Sequence, residues 1–266
     1  MVRLLFATFA TLLVTVAGVF APALAQDAYR LGEGDIVKLT VYQRPDLSSD
    51  ARLGTNGRIY VPGGGKLDIG GMTIPEAEDQ IAQSLKRSGA APNPQVDLQV
   101  VQFASAKVSV FGYVKNTGSF ALDRPMRISD LLALAGGILP DGSDHVVLLR
   151  KSASGAATQT VVNMKEVLAG NTSADIQVKA GDIVNVPRAP RVYVYGSVNR
   201  PGPYILEDGM TPLEMISMAG GLSQTGSDSR LEVVRHSNAG QAQSLKVGLQ
   251  DKLQPEDVLI VHESIF

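Results

Sequence analysis

From Val108 the chain alternates apolar with small or polar positions, VSVFGYV, and from Val192 it does so again, VYVYGSV. A two-residue period marks a strand with one buried face. The likeness extends further. Val108–Leu122 aligns with Val192–Leu206 at an offset of 84, and so, without a gap, do Ser129–Ile138 with Leu213–Leu222 and Gly142-Ser143-Asp144 with Gly226-Ser227-Asp228. Self-similarity of this extent reads as two copies of one small module. Each copy predicts a hairpin, with Gly118 or Gly202 supplying positive φ in its turn. A short helix follows. In the second copy Thr211-Pro212-Leu213-Glu214 is a capping box with proline at the first helical position, whereas the first copy has only Ser129 and Asp130. Both helices stop at a glycine pair, Gly136-Gly137 or Gly220-Gly221, suited to a left-handed cap. Strands over Val146–Arg150 and Leu231–Arg235 come next, and AGDIVNVP (Ala180–Pro187) or PEDVLIVH (Pro255–His262) closes each copy.

The stretch before the repeats patterns differently. Tyr29–Leu47 predicts a turn and a strand, and Leu53–Thr73 an Asn-Gly turn with short strands. Thr73-Ile74-Pro75-Glu76 is a capping box, behind which Ile74, Ala77, Ile81 and Leu85 recur at helical spacing. Ile74–Arg87 is therefore predicted as an amphipathic helix, ended by Pro92-Asn93-Pro94, with a strand over Gln95–Phe103. Three times an acidic step leads into a β-branched strand: Gly34-Asp35, Gly181-Asp182 and Glu256-Asp257. A turn aspartate bonding nearby backbone N–H groups is the expected role, ahead of catalysis or metal binding. The fold class this predicts is α+β: a small β-rich unit followed by two tandem repeats.

The N-terminus changes the picture of where the protein works. Arg3 precedes an apolar run over Leu4–Phe20, Pro22 breaks it, and Ala23-Leu24-Ala25 offers a small-residue cleavage site before Gln26. Cleavage between Ala25 and Gln26 is expected, giving units at 1–25 (signal peptide), 26–104, 105–189 and 190–266, joined through Ala104–Lys107 and Arg188–Arg191. No later stretch approaches the ~18 apolar residues of a spanning helix. The 266 residues hold no cysteine, which excludes disulfides, thiolate metal sites, a catalytic thiol and a lipid anchor on cysteine. A net charge of −2 provides no basic excess for nucleic acid.

The ordered motifs resemble the outer-membrane polysaccharide export family. The leading unit carries Tyr29-x-Leu31-Gly32-x-Gly34-Asp35, Gly57-x-Ile59-x-Val61-Pro62 and Gly71-x-Thr73-x-x-Glu76-Ala77, like that family's export domain. The repeats resemble its soluble-ligand-binding β-grasp (SLBB) modules. They carry V-x-V-x-G-x-V around Gly112 and Gly196, turn glycines Gly118 and Gly202, and Ala-Gly-Gly at 135–137 and 219–221. The resemblance implies a homo-oligomeric ring in the periplasm or at the outer membrane that conducts capsule or exopolysaccharide. It also implies an inner-membrane polysaccharide co-polymerase as partner. Members that form their own outer-membrane pore carry a lipidated cysteine and a long C-terminal helix. Without these the expectation is a periplasmic conduit working with a separate outer-membrane, porin-like protein.

Chemistry is predicted to be absent: no enzyme, no cofactor, no metal. VPGGGK (Val61–Lys66) lacks the first glycine and the Ser or Thr of a phosphate loop. His145, His236 and His262 are scattered, and Asp141 and Asp144 read as solvated loop residues rather than a glycosidase pair. Arg124, Arg127, Arg188, Arg191 and Arg200 are available to an acidic polymer, with solubility and rim contacts the plainer role. Aromatics at 5% are few for a carbohydrate-stacking enzyme. The competing function is a monomeric periplasmic protein whose repeats hold a soluble ligand, and a carbohydrate-active enzyme comes third.

Overall fold

The computed structural model describes residues 29–152, 155–236 and 242–265. The expected signal peptide and its cleavage site at Ala25 and Gln26 lie outside the described residues. In the leading unit, β1 (Ile36–Val41) pairs antiparallel with β2 (Ser49–Arg52) on one side and, further along the chain, with β5 (Val96–Gln102) on the other. Strands β3 (Arg58–Val61) and β4 (Gly65–Asp68) form a separate hairpin. Helix α1 (Ile74–Arg87) covers the sheet. Its capping box is formed on both sides, and Ala77, Ile81 and Leu85, at the predicted spacing, are fully buried against Val37, Leu39 and Leu98. The glycines of VPGGGK turn the β3–β4 hairpin, with positive φ at Gly63 and Gly65, so no helix follows the lysine as a phosphate loop requires.

The first repeat runs β6 (Lys107–Gly112), β7 (Gly118–Ala121), α2 (Ile128–Leu134), β8 (His145–Lys151), β9 (Ala157–Asn163), α3 (Met164–Leu168) and β10 (Ile183–Val186). The second runs β11 (Arg191–Gly196), β12 (Gly202–Ile205), α4 (Pro212–Met218), β13 (Gly226–His236), β14 (Ala242–Val247) and β15 (Val258–Glu263). The two sheets have the same order, β7-β6-β10-β8-β9 and β12-β11-β15-β13-β14. In each, the closing strand lies parallel to the opening strand and antiparallel to the third. A five-stranded mixed sheet with its helix packed on one face is the β-grasp-like arrangement expected, and the whole is α+β.

Burial follows the alternation. Val108, Val110, Val184 and Val186 in one repeat, and Val192, Val194, Leu259 and Val261 in the other, point into separate cores against Leu131 and Met215 of the respective helices. Gly112 and Gly196 end the opening strands at φ +88° and +93°. A Cβ there would lie 2.0 Å from the Val186 carbonyl oxygen and 2.2 Å from that of Val261, so glycine alone fits. Gly136 and Gly220 cap the helices at φ +83° and +82°, and the N–H groups of the following Gly137 and Gly221 bond Leu132 and Ile216 carbonyls.

Two features were not anticipated. The helix of the first repeat starts at Ile128, and its missing local cap is replaced from a distance. Asp175, 8% exposed, accepts from the Ser129 N–H at 3.2 Å and the Ser129 hydroxyl at 2.6 Å, while Asp130 accepts from the Arg127 N–H at 3.0 Å. The polar edge strands β9 and β14 also escaped the hydrophobic pattern, because most of their side chains are exposed.

Candidate functional site

The three acidic turns are built alike. Asp35, Asp182 and Asp257 are 0–2% exposed, and each carboxylate accepts the backbone N–H three residues before it: Gly32 at 2.9 Å, Lys179 at 2.7 Å and Gln254 at 2.8 Å. That is the local turn role expected of them. A buried carboxylate needs further donors, and here the units diverge. In the repeats an arginine from the neighbouring strand provides two parallel bonds: Arg150 to Asp182 at 2.9 and 2.7 Å, Arg235 to Asp257 at 2.8 and 2.7 Å. Sequence reasoning left both arginines out. Their signal was present, since Arg150 and Arg235 stand near the ends of matching strands.

In the leading unit no arginine takes that place. Asp35 instead accepts from the Tyr29 hydroxyl at 2.5 Å, the Ala104 and Ser105 N–H groups at 2.8 and 2.7 Å, and the Ser105 hydroxyl at 2.9 Å. Burial alone would raise the Asp35 pKa, but the Tyr29, Ser105, Gly32 and Ala104 donors outweigh it and hold the carboxyl below its usual range. Burial and the same bond to Asp35 push the Tyr29 hydroxyl well above its ordinary value. The segment expected as a linker, Ala104–Lys107, is thus gripped at Ala104 and Ser105 by the unit that precedes it.

Between the repeats lies a cleft of about 320 Å³ lined by Pro140, Asp144, His145, Lys165, Glu207 and Asp208 among others. Polar pairs cross it: Lys165 to Glu207 at 2.8 Å and His145 to Asp208 at 3.4 Å. Nearby Arg191 bonds Asp141 at 2.8 Å, and Lys165 also faces Asp144 at 3.5 Å. Asp141 and Asp144 therefore each answer a cation in place of facing one another as an acid–base pair. Of the five arginines available to an acidic polymer, four have partners inside the molecule. Arg124 faces Asp123, Arg127 bonds the Thr172 and Asp175 carbonyls, Arg200 bonds the Met218 carbonyl, and Arg191 holds Asp141. His145 of the first repeat and His262 of the second each face a different carboxylate, Asp208 and Glu232, and among the described residues no three metal-ligating side chains gather.

These features describe a modular α+β protein whose ordered groups hold modules together. Comparison with known proteins agrees with that architecture. The family model described as polysaccharide biosynthesis/export protein matches residues 23–101, and SLBB domain models match 106–186 and 191–243. The chain belongs to the outer-membrane polysaccharide export family, with one export unit followed by two SLBB modules. It is similar to the EPS I polysaccharide export outer membrane protein EpsA of Ralstonia solanacearum, 29% identical over 88% of this chain and 71% of that protein. It is also similar to the polysialic acid transport protein KpsD of Escherichia coli, 32% identical over 40% of this chain but only 19% of that protein. Among the described residues no helix is long and apolar enough to cross a membrane.

Proposed function

We propose that the protein is a non-enzymatic component of a polysaccharide export apparatus, in which copies assemble into a ring that conducts capsule or exopolysaccharide across the periplasm toward the outer membrane. The observation that carries this reading is the order of modules, one export unit and then two SLBB repeats, together with likeness over 88% of the chain to a relative named for polysaccharide export. The surface is compatible with assembly. The outer face of the first repeat's sheet presents Phe111 and Val161, 51% and 54% exposed, beside Val147 and Leu149. Apolar surface and open edge strands of this kind suit head-to-tail contact between identical subunits. The partners are the polymer, an inner-membrane co-polymerase and a separate outer-membrane protein. Deleting the gene and measuring secreted polymer tests the role: secretion should fall to background, and unchanged secretion refutes it. Light scattering on the purified protein tests the ring, which requires a mass many-fold above the 28.1 kDa chain. A single-copy mass would favour the ligand-binding reading, for which the cleft between the repeats is the natural site.

A further inference from the structure

The outer faces of the two repeat sheets occupy equivalent positions and carry different chemistry. Across the first repeat one row reads Phe111, Asn185, Val147, Val161. The equivalent row of the second reads Tyr195, Ile260, Glu232, Lys246, and the row beside it Tyr193, Val258, Val234, Ser244. Tyr193 and Tyr195 are 41% and 67% exposed. Two strands away the apolar row gives way to a hydrogen-bonded group. The Ser244 hydroxyl donates to Glu232, and His262, on the same face as Ile260, lies 2.8 Å from the other Glu232 oxygen. Ser244 first and His262 second hold the Glu232 carboxyl below its usual range, so it stands there as an ionised acceptor. Arg230, Lys246 and His262 share with Glu232 an open cavity of about 550 Å³. Its lining sets two cations, Arg230 and Lys246, against the one carboxylate of Glu232, with His262 bonded to that carboxylate and Arg230 also donating to the Glu263 carbonyl.

We propose that this face of the second repeat is a binding platform for an acidic saccharide, with Tyr195 and Tyr193 beneath sugar rings and the Arg230–Lys246–His262 cavity receiving a sugar carboxylate. The proposal rests on the export reading and deepens it. A tyrosine ring offers its electron-rich face to the C–H hydrogens on one side of a pyranose and keeps its hydroxyl in water. Tyr195 and Glu232 flank Ile260 in one row, so they stand about 10 Å apart at the usual strand spacing. That separation suits a short run of sugars lying across the strands. Arg230 and Lys246 against Glu232 leave one positive charge in excess, which complements a carboxylate and disfavours a cationic ligand. The first repeat has Val147 and Val161 where the second has Glu232 and Lys246, and Pro187 where it has His262, so this chemistry belongs to one module. The few aromatics of the chain do not argue against it, because two of them stand together on this open face. A shallow, solvated platform binds weakly, which lets a moving polymer leave.

The test titrates the purified protein by calorimetry with fragments of the host's secreted polysaccharide, before and after chemical reduction of its carboxylates. The native chain should bind the untreated fragments, and carboxyl reduction should weaken binding about tenfold, a difference of about 1.4 kcal/mol. Tyr195→Ala and Lys246→Glu should each weaken it by a similar factor, while Tyr195→Phe retains it. Both side chains are exposed, and circular dichroism should show these variants folded. Equal binding by native, Tyr195→Ala and Lys246→Glu proteins overturns the proposal, as does failure of the native chain to bind. If Tyr195→Ala instead lowers the oligomeric mass without changing binding, the face holds a second copy and the proposal is wrong. Secretion in the deletion strain is scored separately. Loss of secretion with unaltered binding by the variants removes the platform alone, and normal secretion with the expected binding pattern removes the export role alone.

Discussion

The two repeats share a skeleton and differ in what they show to solvent. Strand order, the opening-strand glycine, the glycine-paired helix end and the buried Asp–Arg pair recur in both. The helix start and the outer sheet face do not. What recurs is what the chain cannot avoid: a backbone too close to its neighbour for a side chain, and a carboxylate with no water to bond. What differs lies where packing makes no demand, and there the modules are free to take separate tasks.

The largest effect tests the shared skeleton. Gly112→Ala and Gly196→Ala combine positive φ with a Cβ inside a backbone carbonyl contact, and each should cost about 3 kcal/mol or more. Calorimetric melting should show similar losses, each confined to its own repeat. A small loss at one site would break the equivalence. Next come Asp182→Ala and Asp257→Ala, which strand an arginine and a turn N–H. Chemical denaturation should register about 2–4 kcal/mol for each.

The leading unit extends the comparison, because its buried carboxylate has no arginine. Asp35 has a lowered native pKa, so its contribution is complete above the unfolded value of about 3.9 and is lost as pH falls through the lower native value. Asp35→Asn should therefore be about 1–2 kcal/mol less stable than the native chain at pH 7, and the gap should close in acid. Melting curves between pH 2 and 7 check this, and a gap that widens in acid would contradict it. The smallest effect separates the repeats at their helix starts. Asp175→Ala should destabilise only the first and Thr211→Ala only the second, each by about 1 kcal/mol in the melting of the affected repeat.

Much of this was legible in the chain. The alternation of Val108–Phe111 and Val192–Tyr195, the spacing of Ala77, Ile81 and Leu85, and the boxes at Thr73 and Thr211 are local patterns, and they appear as written. Asp175 as a cap and Ser105 as a clamp were not legible, because each acts on residues more than 40 positions away, and Arg150 and Arg235 showed only as matching strand ends, their aspartate partners lying at least 20 positions further on. The Tyr193–Lys246 face needed strand register before its members became neighbours. A count of aromatic residues carries no information about that.

The grip of Asp35 on Ala104 and Ser105 has a practical consequence for anyone who recombines such proteins. A cut made just after Gln102, where the last strand of the leading unit ends, would look clean on a diagram. It would leave a buried negative charge on one fragment with only Tyr29 and Gly32 to answer it, and three of its donors on the other. Chimeras of this architecture should be spliced downstream of Ser105, so that the clasp travels whole with its owner.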